Sequence, residues 1–310
     1  MLPTVKTHKI LEKSLENLSG DFFVSGGKTL LVIPEFAHQL DDGFVKLVNA
    51  VAKKLIALSQ TVTIAGAGSW DWPTVNRRNA RYDHFDAASV KIKSKDWFGR
   101  FRDDVAESVI KKFGLVSDVT DCDKIVFAGK LLPSTRFGIN GLLSLVTGLL
   151  PTVTLANIYM QNVNGKMGRA ILEIAVQKIL PKTVFSFLQM QSGVISGNDI
   201  VAVESTALKT SNLPFQASKF TREAIRLNLG DVMLLGTDVK GDKLSNHPIM
   251  PGRKNSIPQI DMAKCNLCLD CSDVCPNGSI EQNGNIIQIQ KSMCARCGAC
   301  VDCCGQHALV

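Results

Sequence analysis

Through the first 240 residues, short apolar runs alternate with segments whose apolar positions recur at helical spacing. Residues 28–34 (KTLLVIP) and 61–65 (TVTIA) are nearly uninterrupted apolar runs of strand length, the pattern of strands covered on both faces. Between them, 41–59 has the spacing of an amphipathic helix. The same reading predicts strands at 124–128, 183–188 and 232–235, and helices at 103–113, 166–180 and 214–227. At the start of the chain, 1–20 mixes Lys6, Lys9, Glu12, Lys13 and Glu16 with scattered aliphatic residues and predicts one more amphipathic helix. Strands and helices in alternation point to an α/β body with a mostly parallel sheet.

From Thr237 the pattern stops, and Gly241, Pro248, Pro251, Gly252 and Pro258 punctuate a polar stretch. The expected organisation is therefore an α/β domain over 1–240, a linker over 241–260 and a small α+β domain over 261–310. Within that last domain, 282–289 (QNGNIIQI) predicts a hairpin turning at Asn283-Gly284.

The small domain carries the chemistry. Its cysteines form one array twice, at a constant offset of twenty-nine: Cys265, Cys268, Cys271 and Cys275 become Cys294, Cys297, Cys300 and Cys304. Both copies read C-x2-C-x2-C-x3-C, the spacing of a ferredoxin-type domain with two [4Fe-4S] clusters, in which the fourth cysteine of each run ligates the other run's cluster. The expected ligands are Cys265, Cys268, Cys271 and Cys304 for one cluster, and Cys294, Cys297, Cys300 and Cys275 for the other. Cys303 competes with Cys304 for the last place. The repeat favours Cys304, because Ala308-Leu309 then falls over Ser279-Ile280. Pro276 follows its cysteine as the pattern asks, whereas Gly305 departs from it. Zinc is the alternative occupant, since paired C-x2-C spacings also suit tetrahedral zinc.

Composition and charge narrow the setting. Hydrophobic residues make up 45% of 310, ample for a buried core, and the first 260 residues hold only Cys122, so no disulfide framework spans the body. Thiols kept as metal ligands imply a reducing interior, most simply the cytoplasm. Residues 261–310 hold five acidic against three basic side chains, so with +7 overall the remainder carries about +9. Body and tail are expected to attract each other. No charge occurs between Arg136 and Lys166, but Asn140, Ser144, Thr147, Pro151 and Asn157 interrupt that stretch. It predicts buried structure rather than a membrane span, with peripheral membrane contact as the alternative.

Weaker constellations lie in the body. Trp70, Trp72 and Trp97 share the stretch 70–102 with Tyr82, Phe85, Phe98 and Phe101 and with basic residues from Arg77 to Arg102. Such a mixture serves anion or protein recognition, or packs as an ordinary loop, and no motif here points to nucleic acid. Gly66 and Gly68 follow a strand, but the third glycine of a dinucleotide fingerprint is missing. The five histidines, His8, His38, His84, His247 and His307, have neither metal nor triad spacing.

The body resembles the iron–sulfur family known as domain of unknown function 362. The resemblance is carried by 28–34, by 125–151 (IVFAGKLLPSTRFGINGLLSLVTGLLP), by 193–204 (GVISGNDIVAVE) and by 230–236. It implies the same fold and an electron-transfer role. Where that family tends to have Lys-Thr-His, this chain has Ser134-Thr135-Arg136. Ser144 stands for a lysine, Glu204 for an aspartate and Ser186 for another acid, while Asp199 keeps its acidic place. The body's site is therefore lost or rebuilt.

Three functions follow from these observations. In the first, the body docks a redox protein partner or a small-molecule substrate beside clusters that transfer single electrons. In the second, the chain is a reductase, an iron–sulfur oxidoreductase that uses the clusters as a wire, with Asp199, Glu204, Lys130 and Arg136 as the candidate catalytic residues. In the third, the body is a scaffold presenting the ferredoxin module to another enzyme.

Overall fold

The most apolar runs of the chain form the middle of an eight-stranded sheet. Lys28–Val32 pairs in parallel with Thr61–Ala65 on one side and with Lys124–Lys130 on the other, and Thr183–Met190 continues the parallel set beyond Lys124–Lys130. All but the first residue of Lys28–Val32 are buried, as its unbroken hydrophobicity requires. Thr74–Val75 closes one end. At the other, Gly193–Gly197 turns back antiparallel, Thr4–His8 pairs antiparallel with it, and Asp238–Gly241 adds the last strand parallel to Thr4–His8. The computed structural model describes residues 3–9, 11–34, 39–66, 74–75, 80–87, 90–95, 101–106, 108–161, 166–244, 257–275, 277–294 and 296–310, with the backbone alone for 74–75, 90–95, 101–106 and 160–161.

The helix Asp42–Ala57 matches its prediction for a physical reason visible in the sequence. Phe44, Leu47, Val48, Val51, Ala52 and Leu55 recur at three and four residues and are all buried against one face of the sheet. Its N-cap is Asp41, whose carboxylate accepts from Phe44 N at 2.8 Å. After this helix the chain steps to Thr61–Ala65, and it later returns on the other side of Lys28–Val32 as Lys124–Lys130. The strand order thus reverses between Lys28–Val32 and Lys124–Lys130, which makes the crevice at their carboxyl ends the topological switch point of the sheet.

Three sequence expectations are corrected. The start of the chain is not one helix but the strand Thr4–His8 followed by the short helix Leu11–Leu15. Val5 and Thr7 alternate inward there, because pairing on both sides satisfies a backbone whose local charges suited a helix equally well. The predicted helix at 103–113 falls on two strands, Phe101–Ala106 and Lys112–Val116, which belong to separate antiparallel ribbons with Val90–Lys95 and Tyr82–Asp86. Phe113, Leu115 and Val116 are buried in the body's core, and that packing outweighs local helical spacing. The predicted strand at 232–235 is a turn, held by the Asp231 carboxylate, which accepts from Leu235 N at 2.9 Å, Gly236 N at 2.7 Å and Thr237 Oγ1 at 2.7 Å.

Residues 138–160 fold as the strand Gly138–Asn140, a 3₁₀ segment Leu143–Leu149 and most of the helix Thr152–Gln161. Among the described residues no helix is long and apolar enough to cross a membrane. The body continues past residue 240, since the strand Asp238–Gly241 belongs to the sheet and Leu244 is buried in the core. Trp70, Trp72, Trp97, Phe98, Arg77, Arg78, Arg100, Gly68, His38 and His247 lie outside the described residues, as does most of the linker. Of the aromatic stretch, Phe85 packs on Phe113 with ring centroids 5.5 Å apart, an ordinary core contact.

The small domain has its own hairpin, Ile280–Asn283 with Ile286–Ile289. The turn falls one residue later than predicted. Its two loop residues are Gly284 and Asn285, and Gly284 takes the left-handed φ of +59°.

Candidate metal centre

The twenty-nine-residue repeat in the sequence is also a repeat in the backbone. Left-handed residues recur at that offset as Leu267 and Arg296, Leu269 and Gly298, and Gly278 and His307. Cys265 N and Cys294 N each donate to a carbonyl four residues back, Asp261 O and Gln290 O, at 3.1 Å. Short helices begin at Asp270 and at Ala299. The sulfurs of the two fourth cysteines also correspond: Cys275 Sγ accepts from Ser279 N at 3.2 Å and Cys304 Sγ from Ala308 N at 3.3 Å.

Two cavities open inside this repeat. One, of about 390 Å³ counted to its mouth, is lined by Cys265, Cys268, Cys271 and Cys304 together with Leu269, Ile287 and Leu309. The other, of about 350 Å³, is lined by Cys275, Cys294, Cys297 and Cys300 together with Ile280 and Ile289. Each takes three cysteines from one array and the fourth from the other. The donor set is all sulfur, the wall is apolar, and backbone N–H groups point at sulfur, features that suit a thiolate-held iron–sulfur cube. None of the cysteines is in a disulfide. Among the described residues no trio of His, Cys, Asp or Glu closes on a single ion.

Burial governs the thiols. It pushes Cys271 up to about 11 and pushes Cys297 and Cys300 up as well, with neighbouring cysteines adding to the effect at Cys271 and Cys300. Bringing four thiolates together therefore requires cations in the cavity. Cys303 stands apart. It is buried, its Sγ donates to Cys300 O at 3.2 Å, and it lines neither cavity. Its counterpart in the first copy is Val274, which packs against the body's core, so the place is an apolar one.

The two cavities differ in surroundings. Cys268 is exposed, whereas Cys297 and Cys300 are buried, and Cys297 and Ala299 belong to the core cluster of the body. The docking point is the tripeptide Ser134-Thr135-Arg136. Asp302 accepts from Ser134 Oγ at 2.7 Å, Thr135 N at 2.7 Å and Arg136 Nε at 3.0 Å. The Arg136 Nη1 donates in turn to Tyr159 Oη at 3.1 Å, and Lys219 Nζ donates to Arg136 O at 2.5 Å. Gly298 lies so close to Thr135 that a Cβ would come within 2.7 Å of its Cγ2. Leu269, its counterpart, tolerates the same left-handed backbone in the copy turned away from this contact.

The four polar candidates of the body separate. Arg136 belongs to the docking point and Lys130 pairs with Asp41 at the switch-point crevice. Asp199 is instead the N-cap of the helix Ile200–Thr210, accepting from Val201 N at 2.8 Å and Ala202 N at 3.0 Å. Glu204, fully buried, accepts from Leu143 N at 2.9 Å and Ser218 Oγ at 3.1 Å, and burial pushes its carboxyl up to about 7. Both acids brace the backbone, and neither lines a cysteine cavity. Sequence reasoning missed Asp302 and Gly298, and singled out Thr135 only as part of Ser134-Thr135-Arg136. The signal available was the departure of Gly298 from Leu269 within an otherwise regular repeat.

Residues 258–281 match the family described as 4Fe-4S binding domain, a range that covers the first array and ends before the second. No curated protein matches the chain. Among solved structures, it is similar to the lactate racemase apoprotein from Thermoanaerobacterium thermosaccharolyticum, at 13% identity and a TM-score of 0.41 over 68% of this chain and 57% of that one. It is also similar to a protein from Thermotoga maritima, at 15% identity and a TM-score of 0.42 over 66% of this chain and 58% of that one. The chain spans less than two thirds of the length of either. What these comparisons establish is a carboxyl-terminal segment similar to a 4Fe-4S binding domain.

Proposed function

We propose that this protein transfers single electrons through two [4Fe-4S] clusters, one in each cysteine cavity, with Cys304 and Cys275 crossing between the arrays. The observation that carries the reading is the composition of the two cavities, three cysteines from one array and one from the other. The half-exposed outer array, with Cys268 at the surface, suits contact with a redox protein, and the buried inner array faces the body. A reducing compartment, most simply the cytoplasm, follows from the need to keep eight thiols free. Kinship of the body with the domain of unknown function 362 family belongs to the same reading.

The test is iron and sulfide content after anaerobic purification, with about eight of each per chain expected for two four-iron cubes. Reduction should give an electron paramagnetic resonance signal broadened by interaction between two paramagnets. Stoichiometric zinc, or about four irons with a single isolated signal, would overturn it.

A reductase is the second reading. It is favoured by the position of the inner array, which docks on the loop leaving the strand Lys124–Lys130, beside the switch-point crevice.

A further inference from the structure

The two turns that follow the fourth cysteines match in backbone and differ by one hydroxyl. Gly278 N donates to Cys275 O at 3.2 Å and His307 N to Cys304 O at 3.1 Å, and both residues take a left-handed φ, of +59° and +50°. The next residue aims its N–H at the cysteine sulfur, Ser279 N to Cys275 Sγ at 3.2 Å and Ala308 N to Cys304 Sγ at 3.3 Å. Both of these residues are buried. Ser279 Oγ also lies 3.1 Å from Cys275 Sγ, whereas Ala308 has no hydroxyl to offer Cys304.

The chemistry of a ligand sulfur fixes the direction of that bond. A cysteine holds metal as the thiolate, which has no proton to give, so the Ser279 hydroxyl donates. A buried hydroxyl needs a partner, and Cys275 Sγ is the one Ser279 Oγ has among the described residues. Ser279 and Cys275 both line the cavity of Cys294, Cys297 and Cys300. Cys297 and Cys300 are buried there, whereas Cys268 in the other cavity is exposed. Hydrogen bonds to the sulfurs and solvent exposure are two of the quantities that set a cluster's potential. Reduction adds one electron, supplied by a one-electron redox partner, and makes or breaks no bond. Burial disfavours the added negative charge, and a donor on the ligand sulfur favours it. The extra donor therefore sits at the site where burial opposes reduction more.

We propose that Ser279 is a positioning residue that holds up the reduction potential of the inner cluster, its hydroxyl donating to Cys275 so that the buried site can be reduced from the exposed one. This deepens the electron-transfer reading and rests on it. The repeat supplies an internal control, because the hydroxyl can be removed from one turn and installed in the other. Alanine suits the turn, as Ala308 shows, so Ser279→Ala takes away the hydroxyl and leaves the backbone donor in place.

The test is a redox titration of the full-length, anaerobically purified protein, followed by electron paramagnetic resonance. Ser279→Ala should lower the one-electron equilibrium of one cluster about tenfold, which is about 59 mV, and leave the other unmoved. Ala308→Ser should raise the other cluster by a similar amount, and the double variant should show both shifts. Unmoved potentials in both variants, an equal shift of both clusters in Ser279→Ala, or movement of the same cluster by both variants would overturn the proposal. If Ser279→Ala loses iron, Ala308→Ser decides alone, and the absence of a rise sinks the idea. Iron content of the parent separates this inference from the reading beneath it. About eight irons with unmoved potentials sinks the role of Ser279 alone, and about four irons sinks the two-cluster function together with that role.

Discussion

Arg136 Nε lies 3.0 Å from Asp302 Oδ2 with both side chains 4% exposed, so the body and the cysteine module share a buried ion pair. Opposite net charges on the two parts made attraction between them an expectation. The fold concentrates it at one desolvated contact.

Removing one partner of a buried pair leaves the other charged and unmatched, which costs about 3–5 kcal/mol. Arg136→Met should therefore destabilise the chain strongly in chemical denaturation. Asp302→Leu should cost more, because Ser134 Oγ and Thr135 N lose their acceptor as well. The double variant should be less damaged than the two single effects added together. Simple additivity would mean that the pair is not coupled.

Gly298 has a φ of +81° and no room for a Cβ beside Thr135. Gly298→Ala should lower stability by about 1–3 kcal/mol through left-handed strain and overpacking. Thr135→Gly added to it should recover part of the loss, as read by thermal unfolding. At Leu269, which already adopts this backbone away from the body, substitution by alanine should leave hydrogen exchange at 132–137 unchanged.

Cys303 and Cys304 are adjacent in sequence and differ in placement, since Cys304 lines a cysteine cavity and Cys303 lines neither. Cys303→Val, which copies Val274 of the first repeat, should retain nearly all iron. Cys304→Ser should lose about half of it, the share of one cube out of two. Iron analysis of the two variants distinguishes them, and the reverse outcome would mean that the cavity lined by Cys265, Cys268 and Cys271 takes its fourth ligand from Cys303.

Glu204 is an acid whose folded pKa is raised, from 4.5 to about 7, mainly by burial. The folded state then holds this proton over a pH range in which the unfolded chain has released it. Its contribution is most favourable below about pH 4.5, declines as pH rises, and is lost by about pH 7, an effect on the order of 3 kcal/mol. Glu204→Gln should flatten that part of the stability profile. Gln retains an acceptor for Leu143 N, so the variant should be more stable than the parent at pH 8. Denaturant midpoints at pH 5, 6, 7 and 8 provide the measurement.

Legibility followed the type of interaction. The strands Lys28–Val32, Thr61–Ala65 and Lys124–Lys130 were readable because a strand covered on both faces must be apolar throughout, and the helix Asp42–Ala57 because one face must be. Thr4–His8 and Lys112–Val116 were not, since their sequences suit a helix or a strand and the choice was made by partners far along the chain. The polar residues of the body behaved similarly. Asp199 and Glu204 look like candidate acids in sequence, yet Asp199 Oδ1 accepts from two backbone N–H groups and the Glu204 oxygens accept from Leu143 N and Ser218 Oγ, which only the folded chain reveals.

The sequence by itself determined the repeated cysteine array and its offset, because both are read directly from residue spacing, and that repeat is what makes Cys304 rather than Cys303 the expected ligand. Tertiary structure decided which array faces the body and which faces solvent, and it converted Ser134-Thr135-Arg136 into the cradle for Asp302. It also brought Lys130 and Asp41 together at the sheet's switch point. Those relationships join residues up to 168 positions apart, and they depend on strand order and burial, which local spacing does not encode.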